Sequence, residues 1–467
     1  MSQWENYFGF TDAGSPDDHD FLEASYLARA KYEEIKYEDR EAGKSLIIGI
    51  KGSGKTAIRR HVAAQTSGPV WILADGHYRT NLDAAAMDAK SGEVRDFLCL
   101  EILRQFTDQV GDDDGPEWKK KLRSIGSGTL EVLKQAPNAV KLEGFGAQVD
   151  LGELLASGGR TFLSTQWMKT LDEVVECVGD QRACILIDDA ESVFKNLEQN
   201  TDFIEGLAWA VEQINARAKS SLHVLLFLKH GIYRRWYEKQ REYDKFSYAM
   251  EHLTWAESEL WELLARRIKA RRGIDDLEAE ELGTAALWAQ EFSCEESFEE
   301  FARSFSRLCA SGPRDMVDLA NRCKKLAEDD SITLEHLAAI ESKYSEDKLY
   351  AIHADFEDVY PRINEFVGYA FAGCPSTGPA SEYGDAIEAK VLGDVKVFDD
   401  FSTEGWFRNP SMSRLLRLMF EVGVVGIKRG DTVTYAIEDP DLAEAAHSAE
   451  TLVVHPAFRS HLGCLDK

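Results

Sequence analysis

Eight residues near position 50 carry the clearest chemistry in the chain. Gly49-Ile50-Lys51-Gly52-Ser53-Gly54-Lys55-Thr56 spaces three glycines, a lysine and a threonine as a phosphate cradle needs them. Glycine lets the backbone wrap around an anion and turn its N–H groups inward. The helix predicted over Ala57–Ala64 adds the positive end of its dipole. Within this pattern Lys55 reaches the β- and γ-phosphates, and the Thr56 hydroxyl is a ligand for Mg²⁺. The expected ligand is a nucleoside triphosphate, taken as ATP, with Mg²⁺ beside it. A dinucleotide reading fails, because glycines 49, 52 and 54 run G-x-x-G-x-G rather than G-x-G-x-x-G and a lysine follows.

A second group lies at Cys184-Ile185-Leu186-Ile187-Asp188-Asp189-Ala190-Glu191, an apolar run that ends in carboxylates. Such a strand end can hold Mg²⁺ and orient an attacking water. Asp188 is the expected metal partner, Asp189 the acid that polarises water, and Glu191 the second candidate for that task. The competing reading is a strand that stops in a solvated acidic loop.

These residues must be held by a sheet. Short apolar runs at 45–49, 70–74, 184–187 and 222–228, with a weaker one at 251–255, fit buried parallel strands separated by amphipathic stretches. That alternation predicts an α/β fold: a P-loop NTPase core with a five-stranded parallel sheet, a helical lid and a C-terminal winged helix. Residues 1–40 read as an N-terminal helical arm and 41–256 as the core. An insertion at about 90–159 carries the acidic loop Asp112–Asp114 and a glycine-punctuated stretch, 140–152, of hairpin character. Leu260, Leu263, Leu264 and Ile268 then share one helical face, and helical spacing marks 257–342 as the lid. In 343–467, helices precede Val424–Ile427, an Arg429-Gly430-Asp431 turn and Val433–Ile437, the order of a winged helix.

Composition narrows the partners. The 467 residues carry 54 Lys plus Arg against 82 Asp plus Glu, a net charge of −28, and such a field repels nucleic acid unless a local basic surface overcomes it. Arg408, Arg414, Arg417, Lys428 and Arg429 form one such surface in the C-terminal region, so DNA is kept as the less favoured partner and a protein contact is preferred. The Lys119–Arg123 and Arg266–Arg272 clusters read as solvated helix faces. Eight scattered cysteines without a CxxC pair fit reduced thiols in a cytoplasm. No apolar window is long enough to cross a membrane.

The chain also resembles bacterial stand-alone P-loop ATPases related to the STAND and origin-loader (AAA+) classes. The likeness rests on Phe8-Gly9-Phe10-x-x-Ala13, the two motifs above, Leu226-Phe227-Leu228-Lys229, Leu253-Thr254-Trp255 ahead of Arg266-Arg267-Ile268, Ser311-Gly312-Pro313-Arg314-Asp315, and Val454-His455-Pro456-Ala457-Phe458. It covers nearly everything outside 90–159. It implies a slowly hydrolysing ATP switch in bacterial anti-phage defence or conflict, acting through an effector or partner protein or as a homo-oligomer. It also implies that Lys229 senses the γ-phosphate, where related proteins tend to have Arg, and that Arg314 points back from the lid as a second sensor. Each has a plainer alternative, a solvated strand end for Lys229 and a surface ion pair for Arg314. Arg234 and Arg235 are candidates for an arginine finger, and Phe8 and Phe10 stack on adenine or pack in a core. The alternative function is a DNA-dependent loader-type ATPase whose winged helix grips duplex DNA.

Overall fold

The computed structural model describes residues 4–11, 19–27, 44–73, 80–82, 91–135, 140–143, 146–149, 159–188, 201–239, 246–293, 297–310, 312–357, 359–408, 410–436 and 438–465. The chain forms two compact units. A sheet unit holds Ala28–Gly49 and Ile58–His252, and a helical unit holds Met1–Leu27, Ile50–Ala57 and Leu253–Lys467.

The sheet unit contains β1 (Leu46–Gly49), β2 (Val70–Leu73), β3 (Thr80–Leu82), β4 (Val140–Glu143), β5 (Gly146–Val149), β6 (Ala183–Ile187), β7 (Leu222–Lys229) and β8 (Met250–His252). Five of them make an all-parallel sheet in the order β2-β6-β7-β1-β8. The fold is therefore α/β, as the apolar runs predict. Every residue of β1 and β6 is buried, as are all of β7 except Lys229. A strand covered on both faces has no polar face, so its sequence reads as an unbroken apolar run. The weak run at 251–255 is only partly strand: β8 stops at His252, and Leu253–Trp255 lie beyond it.

The chain goes from β1 out to the edge strand β2, returns through β6 and β7, then passes β1 to reach β8. Connections therefore leave β7 and β1 in opposite directions, and in open parallel sheets the crevice at the carboxyl ends of such a pair is where ligands bind. Gly49 and Lys229, the last residues of those strands, are register partners.

The stretch expected as an insertion includes a core element. The helix Ser91–Val110 buries Phe97, Leu98, Leu100, Leu103 and Phe106 in one cluster with sheet residues Leu46, Ile185 and Leu226. Its polar members Glu101 and Arg104 pair with each other at 2.7 Å. The glycine-punctuated stretch forms the expected hairpin, β4 against β5, with β3 added in parallel.

In the helical unit, helices Glu257–Arg272, Asp276–Trp288, Phe298–Ser306, Pro313–Ala327 and Leu334–Phe356 surround a core containing Trp288, Phe292 and Phe305. The N-terminal Phe8 is fully buried there and stacks on Phe292 with ring centroids 6.0 Å apart. Asn321 grips its backbone, accepting from the Phe8 N–H and donating to the Gly9 carbonyl. Phe8 is therefore a core residue, the plainer of its two readings.

The rest of this unit carries an antiparallel sheet of β9 (Thr377–Gly378), β10 (Val425–Arg429), β11 (Thr432–Thr434) and β12 (Leu452–Val454), ordered β11-β10-β12-β9. The β10–β11 hairpin turns at Gly430-Asp431, where Gly430 takes φ +60°. The helix Met412–Glu421 precedes it. Among the described residues no helix is long and apolar enough to cross a membrane.

Candidate functional site

β1 ends at Gly49 and the next helix starts at Lys55, running to Gln65. Between them Gly52 and Gly54 have φ of +91° and +99°. Side chains with a Cβ rarely adopt such angles, so these two glycines are required by the turn. The Ile50 carbonyl is a hub inside the loop: it accepts from the Ser53 N–H (3.2 Å), the Ser53 hydroxyl (2.8 Å) and the Lys55 ammonium (3.0 Å). Lys55 is thus folded back on its own loop, placing its charge among the backbone atoms a phosphate would approach.

The loop is tied to distant parts of the helical unit through its main chain. The Trp255 indole Nε1–H donates to the Ser53 carbonyl at 2.8 Å in a buried bond. The Arg314 N–H faces the Gly52 carbonyl at 3.5 Å, and the Lys51 ammonium reaches the Ala354 carbonyl at 3.3 Å. Arg314 is the second residue of Pro313–Ala327, where Pro313 suits the first helical position and Gly312 (φ +75°) caps it. Ser311 lies outside the described residues. The next residue, Asp315, forms a buried ion pair with Lys348 at 2.8 Å, locking this helix start to Leu334–Phe356. Burial pushes the nearby Cys309 thiol and Tyr344 phenol well up, and Asp315 pushes both further. Both groups stay neutral, leaving Lys348 to balance Asp315. Gly52, Ser53, Gly54, Lys55, Thr56 and Arg314 thus belong to one compact unit.

Gly49, Asp188 and Lys229 share the carboxyl edge of the parallel sheet. Asp188 follows β6 directly and is 3% exposed. Its carboxylate accepts from Arg59 Nη1 at 2.8 Å, and the side chains in this pair are 12% and 4% exposed. Arg59 lies three residues beyond Thr56 in the same helix. Asp189 and Glu191 fall outside the described residues, as do the side chains of Arg234 and Arg235.

Sequence reasoning missed Arg59 and the loop contact of Trp255. Arg59 left a faint signal, a cation one helical turn after the threonine of the motif. Trp255 is among the residues that carry the resemblance, but nothing local links position 255 to position 53.

The C-terminal basic surface is partly neutralised. Arg417 pairs with Glu444 at 3.0 Å and Glu421 at 3.5 Å, and Arg414 donates to the Arg408 carbonyl. Lys428 and Arg429 stand exposed on the hairpin.

Residues 258–353 match the model of a family described as the FunZ-associated C-terminal helical domain. This segment spans the helices from Glu257–Arg272 into Leu334–Phe356 and includes Arg314 and Lys348. A search of curated proteins finds no match.

Proposed function

We propose that the chain is an ATP-binding P-loop NTPase of the STAND/AAA+-like kind, hydrolysing slowly with Mg²⁺ and working as a regulatory switch through a partner protein or an assembly of its own copies. One observation carries the reading. A loop with Gly52 and Gly54 in the left-handed region leaves a parallel sheet at its switch point and enters a helix at Lys55. Backbone N–H groups, a helix N-terminus and an ammonium are the parts a triphosphate needs.

On this reading Lys55 exchanges the Ile50 carbonyl for phosphate oxygens, and Lys229 adds a point charge at the neighbouring strand end. By residue type, the Thr56 hydroxyl and the Asp188 carboxylate would supply hard oxygens of the kind Mg²⁺ takes. When bound, the ion neutralises charge developing on the transferred phosphoryl group. Asp188 is shared with Arg59 in the fold described, so a cation there competes with a guanidinium. Asp189, with Glu191 as the other candidate, orients the water.

The switch reading is supported by where the loop is tied. Its carbonyls are held by Trp255 and the Arg314 backbone, and Lys51 is tied to Ala354, so the loop is joined to two helices, Pro313–Ala327 and Leu334–Phe356, and to the segment ahead of Glu257–Arg272. We read the C-terminal helices and hairpin as a winged helix that contacts protein. The test is Lys55→Ala, expected to weaken ATP binding about 100-fold by removing a charge-assisted contact, with circular dichroism unchanged because the ammonium sits on a loop carbonyl and not in a hydrophobic cluster. Calorimetric titration reading equal affinity in both chains would remove the nucleotide site.

A further inference from the structure

The hydrogen bonds within the loop meet at the Ile50 carbonyl and do not reach the Ser53 carbonyl, which is fixed from elsewhere. Gly52 and Gly54 flank Ser53, and a glycine at 54 lets the Ser53–Gly54 peptide rotate by half a turn without steric penalty. A peptide unit is planar and trans, so its C=O and N–H point in opposite directions. Whatever fixes the Ser53 carbonyl therefore fixes the Gly54 N–H as well. In this fold the carbonyl is fixed from outside the loop, by the Trp255 indole N–H at 2.8 Å. The ring also lies against the glycine: a Cβ built on Gly54 would stand 3.8 Å from Trp255 Cζ2. Trp255 is 7% exposed and Ser53 1%, so water cannot replace this donor.

We propose that Trp255 is a positioning residue for the anion site: by holding the Ser53 carbonyl, it turns the Gly54 N–H away from the indole and presents it to phosphate. The inference rests on the reading of the loop as a triphosphate site and adds a residue some two hundred positions from the motif. It separates two jobs of one side chain. The ring packs in the core with Leu260 and Leu264, and the N–H sets the loop.

The experiment separates them as well. Trp255→Phe keeps an aromatic ring without a donor, and Trp255→3-benzothienylalanine keeps the full bicyclic shape with sulfur in place of the N–H. Calorimetric titration with ATP and with inorganic tripolyphosphate, against wild type and Lys55→Ala, reads the result. The expected outcome for the isostere is about tenfold weaker binding, by the same factor for both ligands because a backbone N–H reads phosphate and not base, with thermal melting lowered by only a few degrees for the one buried carbonyl left unpaired. A role confined to packing would weaken binding in Trp255→Phe and leave the isostere at wild-type affinity, which overturns the proposal even if Trp255→Phe fails to fold. Wild-type binding lost in Lys55→Ala but unchanged in the isostere overturns Trp255 alone. A wild type that binds neither ligand overturns the phosphate-loop reading and this inference with it.

Discussion

In the loop from Ile50 to Thr56 the fixed points are main-chain carbonyls, whereas at the end of β6 the fixed point is a charge. The Ser53 and Gly52 carbonyls face an indole N–H and a backbone N–H, neither of which changes charge with pH. Asp188 sits on a guanidinium in a poorly hydrated site, where taking away one member of a buried charge pair is costly. The first arrangement resists pH and salt and tolerates side-chain change wherever the backbone angles survive. The second is sensitive to any competing cation.

The largest effect expected from the comparison is on the charged side. Arg59→Met takes the guanidinium away from a buried carboxylate and should lower unfolding free energy by about 3 kcal/mol, read by urea denaturation. Arg59→Met combined with Asp188→Leu should recover most of that loss, because a buried pair replaced by apolar groups is often nearly neutral. A single variant as stable as wild type would mean that Asp188 does not depend on Arg59, and the contrast with the loop would collapse.

A smaller effect sharpens the contrast within the helical unit. His455 caps the helix Pro456–Leu462, accepting from the Ala457 N–H at 3.2 Å, and its pKa is lowered to about 3 by burial and then by Lys348 and Arg459. The unfolded imidazole titrates near 6.5 and the folded one far lower, so below pH 6.5 the unfolded state binds more protons. The stability of this region is complete above pH 6.5 and falls as pH drops towards 3. Between pH 7 and pH 5 the loss should be about 2 kcal/mol by linkage. His455→Asn keeps a capping acceptor and should lack that component, and parallel denaturation curves for the two chains at both pH values would contradict the assignment.

The smallest effect concerns duplex DNA. Arg417 is engaged by Glu444 and Glu421, leaving Arg414, Lys428 and Arg429 for phosphate contacts. Three contacts give a slope of log K against log salt of about −3 at most and binding in the non-specific range, about 10⁻⁴ to 10⁻⁶ M. Nanomolar binding at physiological salt, lost on Lys428→Ala/Arg429→Ala, would favour the loader-type alternative over a protein-contacting hairpin.

The parallel strands were legible because burial on both faces leaves unbroken apolar runs: β1 and β2 fall inside the runs read from sequence, and β6 and β7 exceed theirs by one residue each. The β10–β11 hairpin was legible because Gly430 marks its turn. The helix Ser91–Val110 was read as insertion, since its spacing signals amphipathic helix without saying which core it joins. The end of β8 was overextended because the apolar residues after it are apolar for a different reason: Leu253 is buried beyond the strand end, and Trp255 packs in the core of the helical unit.

For the candidate site the division is similar. The turn at positions 49–56 is written locally, because two left-handed backbone positions call for glycine and a helix follows at once. Sequence also marked Asp188 and Lys229 as strand ends. Only the tertiary structure joined Trp255 to Ser53, Arg314 to Gly52 and Arg59 to Asp188, since each contact links segments that share no periodicity and meet only once strands and helices have packed. An anchor at such a distance leaves no local pattern, because its position is set by the path of the whole chain and not by its neighbours.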